Sequence, residues 1–207
     1  MPLLEPDHLA ICAETLAEGV AYVEDLLGVP LEPGGEHVFM GTHNRLLSLG
    51  PEFYLEVIAI NPDAASPGRA RWFDMDRFSG PPRLTNWICR TQDLPRALAL
   101  APAGIGRVIP AARGDLRWQM VVPDDGRLPF DGAFPALIAW EGTAHPSGQL
   151  PDRGCRMTAL EIQHPQADDL GRRLQTMLDM ANNQVRSGPE KRLIATIDTP
   201  TGPKILR

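Results

Sequence analysis

Hydrophobic and polar positions change period several times along this chain, and each change marks an element. Asp7-His-Leu-Ala-Ile-Cys-Ala13 is a short, mostly apolar run of strand length, and Thr15-Leu-Ala-Glu18 directly after it has the form of a capping box. Leu16, Val20, Val23 and Leu27 then recur at three- to four-residue spacing, with Gly28 where a C-terminal cap belongs, so a helix is predicted to about residue 27. Pro33-Gly34-Gly35 predicts a turn. His37 to Thr42, Arg45 to Leu49 and Phe53 to Ile60 predict three strands, separated by Thr42-His43-Asn44 and Gly50-Pro51-Glu52. The predicted order is βαβββ.

Asn61 to Pro82 is punctuated by Pro62, Pro67, Gly68, Gly80, Pro81 and Pro82, which predicts a linker with Trp72 and Phe73 docked on the core. The pattern then restarts. Leu84 to Thr91 predicts a strand, Asp93 caps a short helix to about residue 101, and Trp118 to Val122 and Ala136 to Trp140 predict later strands. An offset of 78 lays Leu94 over Leu16 and Asn86 over His8. After Pro151-Asp152-Arg153-Gly154 comes a third stretch, with a strand at Met157 to Gln163 and a helix from about Gln166 to Met180 whose Leu170, Leu174, Met177 and Leu178 share a face. Strands near Val185, at Leu193 to Ile197 and at Lys204 to Leu206 complete it. The expected architecture is α+β: paired βαβββ modules at about 1–62 and 83–143 within a domain spanning 1–150, and a partial third module over 151–207.

Composition narrows the class of partner. The 207 residues are 43% hydrophobic and 22% charged, with a net charge of −6 and a pI near 5.3, and the basic residues are scattered. That excludes disorder and gives no electrostatic footprint for nucleic acid or an anionic membrane, so a small-molecule substrate or ligand is expected. No run of about 18 apolar residues and no secretory pattern occurs, which predicts a cytoplasmic protein. Cys12, Cys89 and Cys155 are too far apart for a CxxC motif and odd in number, so buried reduced thiols are expected. No GxGxxG, P-loop, GxSxG or HExxH is present, which removes support for Rossmann hydride transfer, nucleotide hydrolysis, serine hydrolysis and zincin chemistry.

Several blocks carry a resemblance: Asp7-His8-Leu-Ala-Ile, Gly41-Thr42-His43-Asn44-Arg45-Leu-Leu-Ser-Leu-Gly50, Tyr54-Leu-Glu56-Val-Ile-Ala-Ile60 and Arg71-Trp72-Phe73. Together they resemble the glyoxalase-like domain family of the vicinal oxygen chelate superfamily. The match is strongest over residues 7–75 and continues more weakly through Trp87-Ile-Cys-Arg-Thr91, Trp118-Gln119, Pro135 to Trp140 and His145-Pro146. The resemblance implies a cup-shaped sheet that holds a divalent metal where members are active, with ligands from the first and last strands of each module. His8 and Glu56 match those positions. A neutral imidazole and a carboxylate suit Zn, Ni, Fe or Mn, leaving coordination positions for two neighbouring substrate oxygens. In the second module the matching positions are Asn86 and Ala139, with Glu141 two residues on as a candidate third ligand or base.

Other candidates rest on residue chemistry. His43 can serve as ligand, acid or base. Its neighbours Thr42 and Asn44 are a turn pair or, for Asn44, a substrate contact. His145 and His164 each precede a proline at a strand end, and Arg45, Arg90 and Arg117 are carboxylate-binding candidates or surface ion pairs. Trp72, Trp87, Trp118 and Trp140 can line an apolar cup. Two functions follow. One is a metal-dependent isomerase, lyase or dioxygenase acting on a small oxygen-rich substrate; the other is a metal-independent small-molecule-binding protein that uses the tryptophans. The pairing of modules is expected within one chain or between two chains of a homodimer.

Overall fold

The computed structural model describes residues 2–207. Its first unit runs β1 (Glu5–Cys12), α1 (Leu16–Leu27), β2 (Glu32–His37), β3 (Thr42–Ser48) and β4 (Tyr54–Ile60). Thr15 caps α1 by accepting from the Glu18 N–H, and Gly28 closes it in the left-handed conformation (φ 72°). Both caps stand where the sequence predicts them.

The hairpin differs from expectation. Residues 38–41 make its turn, while Pro33, Gly34 and Gly35 lie inside β2 and Thr42-His43-Asn44 opens β3. The glycines serve a close approach instead of a turn: a Cβ on Gly34 would meet Asn44 Oδ1 at 2.0 Å. The Pro33 to Glu36 register shift lies in the same stretch.

A second unit repeats the plan as β5 (Arg83–Arg90), α2 (Leu94–Leu100), β6 (Arg107–Arg113), β7 (Leu116–Val122) and β8 (Ala136–Trp140). The sequence reading has no strand at β6, because Pro110 interrupts it. The sheet order explains how a proline is tolerated there: the eight strands run β2-β3-β4-β1-β5-β8-β7-β6, so β6 is an edge with spare N–H positions. The order is symmetric about the antiparallel β1–β5 pair, and both modules come from one chain.

Strand alternation then assigns two faces. On the convex face Leu9, Ile11, Leu55 and Val57 are fully buried, with α1 packed so closely that a Cβ on Gly19 would meet Val57 Cγ1 at 2.6 Å. Each such side chain contributes up to about 1.5–3 kcal/mol on burial. The opposite, concave face carries His8 and Ala10 of β1, Tyr54 and Glu56 of β4, and Asn44 of β3. One face is apolar packing, and the other carries the polar and titratable side chains.

The third unit, β9 (Arg156–His164), α3 (Ala167–Gln175), β10 (Asn183–Ser187), β11 (Arg192–Thr199) and β12 (Gly202–Leu206), keeps the βαβββ element order. Its strands pair as β10-β9-β11-β12, unlike the first two units. The helix is shorter than its hydrophobic spacing suggests, since the chain leaves it after Gln175. Met177 and Leu178 are buried beyond its end, where Leu4 bridges to Leu178. Trp72 and Phe73 dock on the core as expected, in a 3-10 segment over Trp72–Arg77. Cys12, Cys89 and Cys155 are free and buried. Among the described residues no helix is long and apolar enough to cross a membrane.

Candidate functional site

Inside the cup of the eight-stranded sheet, His8, His37, Asn44, Glu56 and Arg113 converge on a cavity of about 30 Å³, walled by Trp72, Trp118 and Trp140 among others. That is room for an ion or one or two waters, with any larger ligand entering from the mouth. Period-two alternation puts His8, Asn44 and Glu56 on this face. Arg113 arrives from the end of β6, across the cup from β2.

The electrostatics begin behind His8. Asp7 is fully buried, and His8 Nδ1 lies 2.6 Å from its Oδ1, while Trp140 Nε1 (2.9 Å) and His145 Nε2 (3.0 Å) meet Oδ2. Burial opposes the charge on Asp7, but the hydrogen bonds from His145 and His8 and their ring charges outweigh it and hold the carboxyl well below the usual carboxylate range. An ionised Asp7 places the His8 proton on Nδ1. Nε2 is then turned to the cavity, 3.7 Å from Glu56 Oε2. Tyr54 stacks on the His8 ring at 4.4 Å, and burial with the Asp7 and Glu56 charges pushes its phenol well above its ordinary range.

Glu56 Oε1 accepts from Asn44 Nδ2 (2.6 Å), and Asn44 Oδ1 accepts from the Gly35 N–H (2.8 Å) and Arg113 Nη1 (3.1 Å). Arg113 Nη1 also donates to His37 Nε2 (3.2 Å), leaving His37 Nδ1 to donate to Thr42 Oγ1 (3.0 Å). Burial first, and then the Arg113 guanidinium, push His37 down to about 3, so the ring is neutral.

The donor chemistry bears on a metal. A carboxylate-backed imidazole beside a carboxylate is the ligand arrangement that divalent ions select. The 3.7 Å separation of His8 Nε2 and Glu56 Oε2 exceeds a hydrogen bond and is of the size two bonds of about 2.0–2.2 Å to a shared ion would span. Those two residues fit. His37 Nε2, 3.9 Å from Glu56 Oε1, has its lone pair occupied by Arg113. Among the described residues no group of three or more His, Cys, Asp or Glu side chains is arranged to hold an ion.

The remaining sequence candidates scatter. Asn44, Trp118 and Trp140 join His8 and Glu56 at the cavity. His43 alternates to the other face of β3, opposite Ala59, where burial lowers its pKa and its Nε2 has no hydrogen-bond partner among the described residues. Trp87 lies beside Leu9 on the convex side and donates to the Ala133 carbonyl (2.9 Å). Glu141 is exposed, following Trp140 on the outer side, with Gln119 Nε2 at 3.4 Å. Register also moves the second-module counterpart of Glu56: Ala10 pairs with Glu56, and Ile88, its equivalent at the 78-residue offset, pairs with Ala136 instead of Ala139. Asn86 shares the concave face but opens on a second cavity. Arg90 bridges Glu5 and Glu52, Arg117 donates to the Gly114 and Leu116 carbonyls, Arg45 is exposed, and His164 faces Asp131.

Sequence reasoning missed Asp7, His37 and Arg113. The Asp-His adjacency was a readable signal for the first, and the close spacing of His37 and Asn44 about a hairpin was one for the second. Nothing local marks Arg113, which reaches the site only through the pairing of modules.

Among solved structures, a hypothetical protein from Staphylococcus aureus is similar at TM-score 0.62 and 14% identity, over 93% of this chain and 90% of that one. Methylmalonyl-CoA epimerase from Mycobacterium tuberculosis gives 0.44 at 20% identity, over 70% of this chain and 92% of that one. A hypothetical protein from Bacillus halodurans C-125 gives 0.45 at 14% identity, over 69% and 96%. No curated protein matches the chain. The family model described as "Glyoxalase-like domain" matches residues 7–178, most of the chain, and the paired βαβββ units of one curled sheet agree with it: the chain belongs to the glyoxalase-like domain family.

Proposed function

We propose that the protein is a metal-assisted isomerase or lyase acting on a small oxygen-rich substrate, with a divalent ion (Zn, Ni, Mn or Fe) held by His8 and Glu56. The observation that carries this reading is the 3.7 Å gap between His8 Nε2 and Glu56 Oε2, with Asp7 fixing the ring behind it. An ion there supplies Lewis-acid polarisation of two neighbouring oxygens. The chain's own groups do the rest. Arg113 offers a permanent cation to an anionic oxygen, Asn44 orients Glu56, and Trp72, Trp118 and Trp140 exclude water around the reacting atoms. Glu56 Oε2 receives no hydrogen bond among the described residues, so it is the cavity oxygen free to hold the ion or take a proton. His43 and Glu141, on the outer side of the sheet, have no part in this reading.

Metal analysis of protein purified without a metal-affinity column tests it. Near-stoichiometric transition metal, lost in His8→Ala and in Glu56→Gln, is the expected result. Protein that stays metal-free after incubation with Zn, Ni, Mn and Fe overturns it. A second reading, metal-independent binding of a small anionic ligand, is favoured by the Arg113 guanidinium among the His37 and Asn44 contacts, where it competes with a cation. Tryptophan quenching by a ligand, unchanged by chelator, would select that reading.

A further inference from the structure

A cavity of about 490 Å³ lies where Lys191, from the loop between β10 and β11, meets the eight-stranded sheet and the Trp72–Arg77 segment. Phe73 lines both this cavity and the one containing His8, so the two are neighbours across one aromatic side chain. Its walls carry four cations, Arg77, Arg83, Arg127 and Lys191, against two carboxylates, Asp74 and Asp131. In a chain of net charge −6, that local excess is opposite to the bulk.

The pairing within the cavity is uneven. Asp74 takes both Arg77 (2.5 Å) and Arg127 (3.5 Å), so one carboxylate faces two guanidiniums. Among the described residues Arg83 donates to the Ser79 and Pro81 carbonyls and stacks over Phe78 at 4.2 Å. The Lys191 ammonium donates to the Thr85 carbonyl. Neither Arg83 nor Lys191 has a carboxylate partner among the described residues. Phe73, Phe78 and Leu128 supply apolar wall beside these cations. Phe73, Asp74, Phe130 and Asp131 all have φ between 54° and 60°, a conformation that non-glycine residues adopt at a cost and that concentrates at functional sites.

We propose that this cavity is an anion-binding site, separate from His8 and Glu56, for a small molecule with a phosphate or carboxylate head on a flat apolar body. Arg83 and Lys191 meet the head, Arg127 guards the rim, and the body lies against Phe73 and Phe78. Burial pushes the Lys191 ammonium down to about 8, and a bound anion reverses that penalty.

Isothermal titration calorimetry with 1-naphthyl phosphate at low ionic strength tests the site. Saturable binding is expected, unchanged by chelator and by His8→Ala, and weakened at least about tenfold in Lys191→Gln. Arg127→Gln alters an exposed side chain and keeps the test valid if Lys191→Gln folds poorly; it is expected to weaken binding in the same direction. No saturable binding by the wild type overturns the proposal. So does binding that survives Arg127→Gln and is lost in Arg113→Gln, which would move the ligand to the other cavity.

Discussion

Asp7 and His8, neighbours in sequence, form a 2.6 Å carboxylate–imidazole contact at the floor of the cup. Adjacent strand residues normally face opposite sides. Here the β1–β5 register shifts between Pro6 and His8, and the buried Asp7 reaches His8, His145 and Trp140 together. The pair sets which His8 nitrogen faces Glu56.

Asp7→Asn therefore weakens the site without touching the cavity wall. The amide no longer fixes the His8 tautomer, and loss of such a backing carboxylate reduces divalent-ion affinity by about 10–100-fold. Competition with a chromogenic chelator reads this directly. Equal affinity in Asp7→Asn and wild type would show that the contact does not orient a ligand.

Gly34→Ala is expected to destabilise the fold and loosen Asn44. The added methyl would sit 2.0 Å from Asn44 Oδ1 and 2.5 Å from the Asn44 carbonyl oxygen, so β2 or β3 must shift. Overpacking of this kind costs about 1–3 kcal/mol. Urea unfolding measures the loss. The same variant should also weaken ligand or metal binding, because Asn44 is the donor to Glu56 Oε1.

What the sequence revealed and what it hid divide along local and non-local physics. The Thr15 and Gly28 caps and the strand bearing Glu56 follow from contacts within a few residues. Gly34 and Gly35 read locally as a turn because the neighbours that need the small residues, Asn44 across the hairpin for Gly34 and Arg113 of the second module for Gly35, lie far along the chain. β6 was hidden by Pro110, which is tolerated only because tertiary order makes that strand an edge. Arg113 joins His37 and Asn44, 76 and 69 residues away in sequence, through the pairing of modules, a separation that periodicity does not report.

Glu141→Gln and His43→Ala are expected to leave metal content and ligand binding unchanged, whereas His8→Ala and Glu56→Gln abolish metal retention. The exposed Glu141 side chain accepts from Gln119 Nε2, away from the cup, and His43 alternates away from Asn44. Metal analysis of the four variants side by side separates them. Loss of metal in Glu141→Gln would contradict the placement of the site inside the cup.

Lys191 gives the fold a measurable pH dependence. Burial lowers its folded-state pKa to about 8 from an ordinary 10.5, so between those values the unfolded chain binds a proton that the folded chain does not. Stability contributed by this group then rises with pH: the penalty is fully present below about 8 and is relieved as pH climbs toward 10.5. Lys191→Met removes the buried charge and leaves the Thr85 carbonyl short of one donor. The net effect at pH 7 is a gain of about 1–2 kcal/mol after solvent screening, shrinking toward zero or reversing near pH 10. Thermal or urea unfolding of both proteins from pH 7 to pH 10 checks this, since their difference cancels the other titrating groups. Parallel curves across that range would mean that the ammonium is solvated and carries no burial penalty.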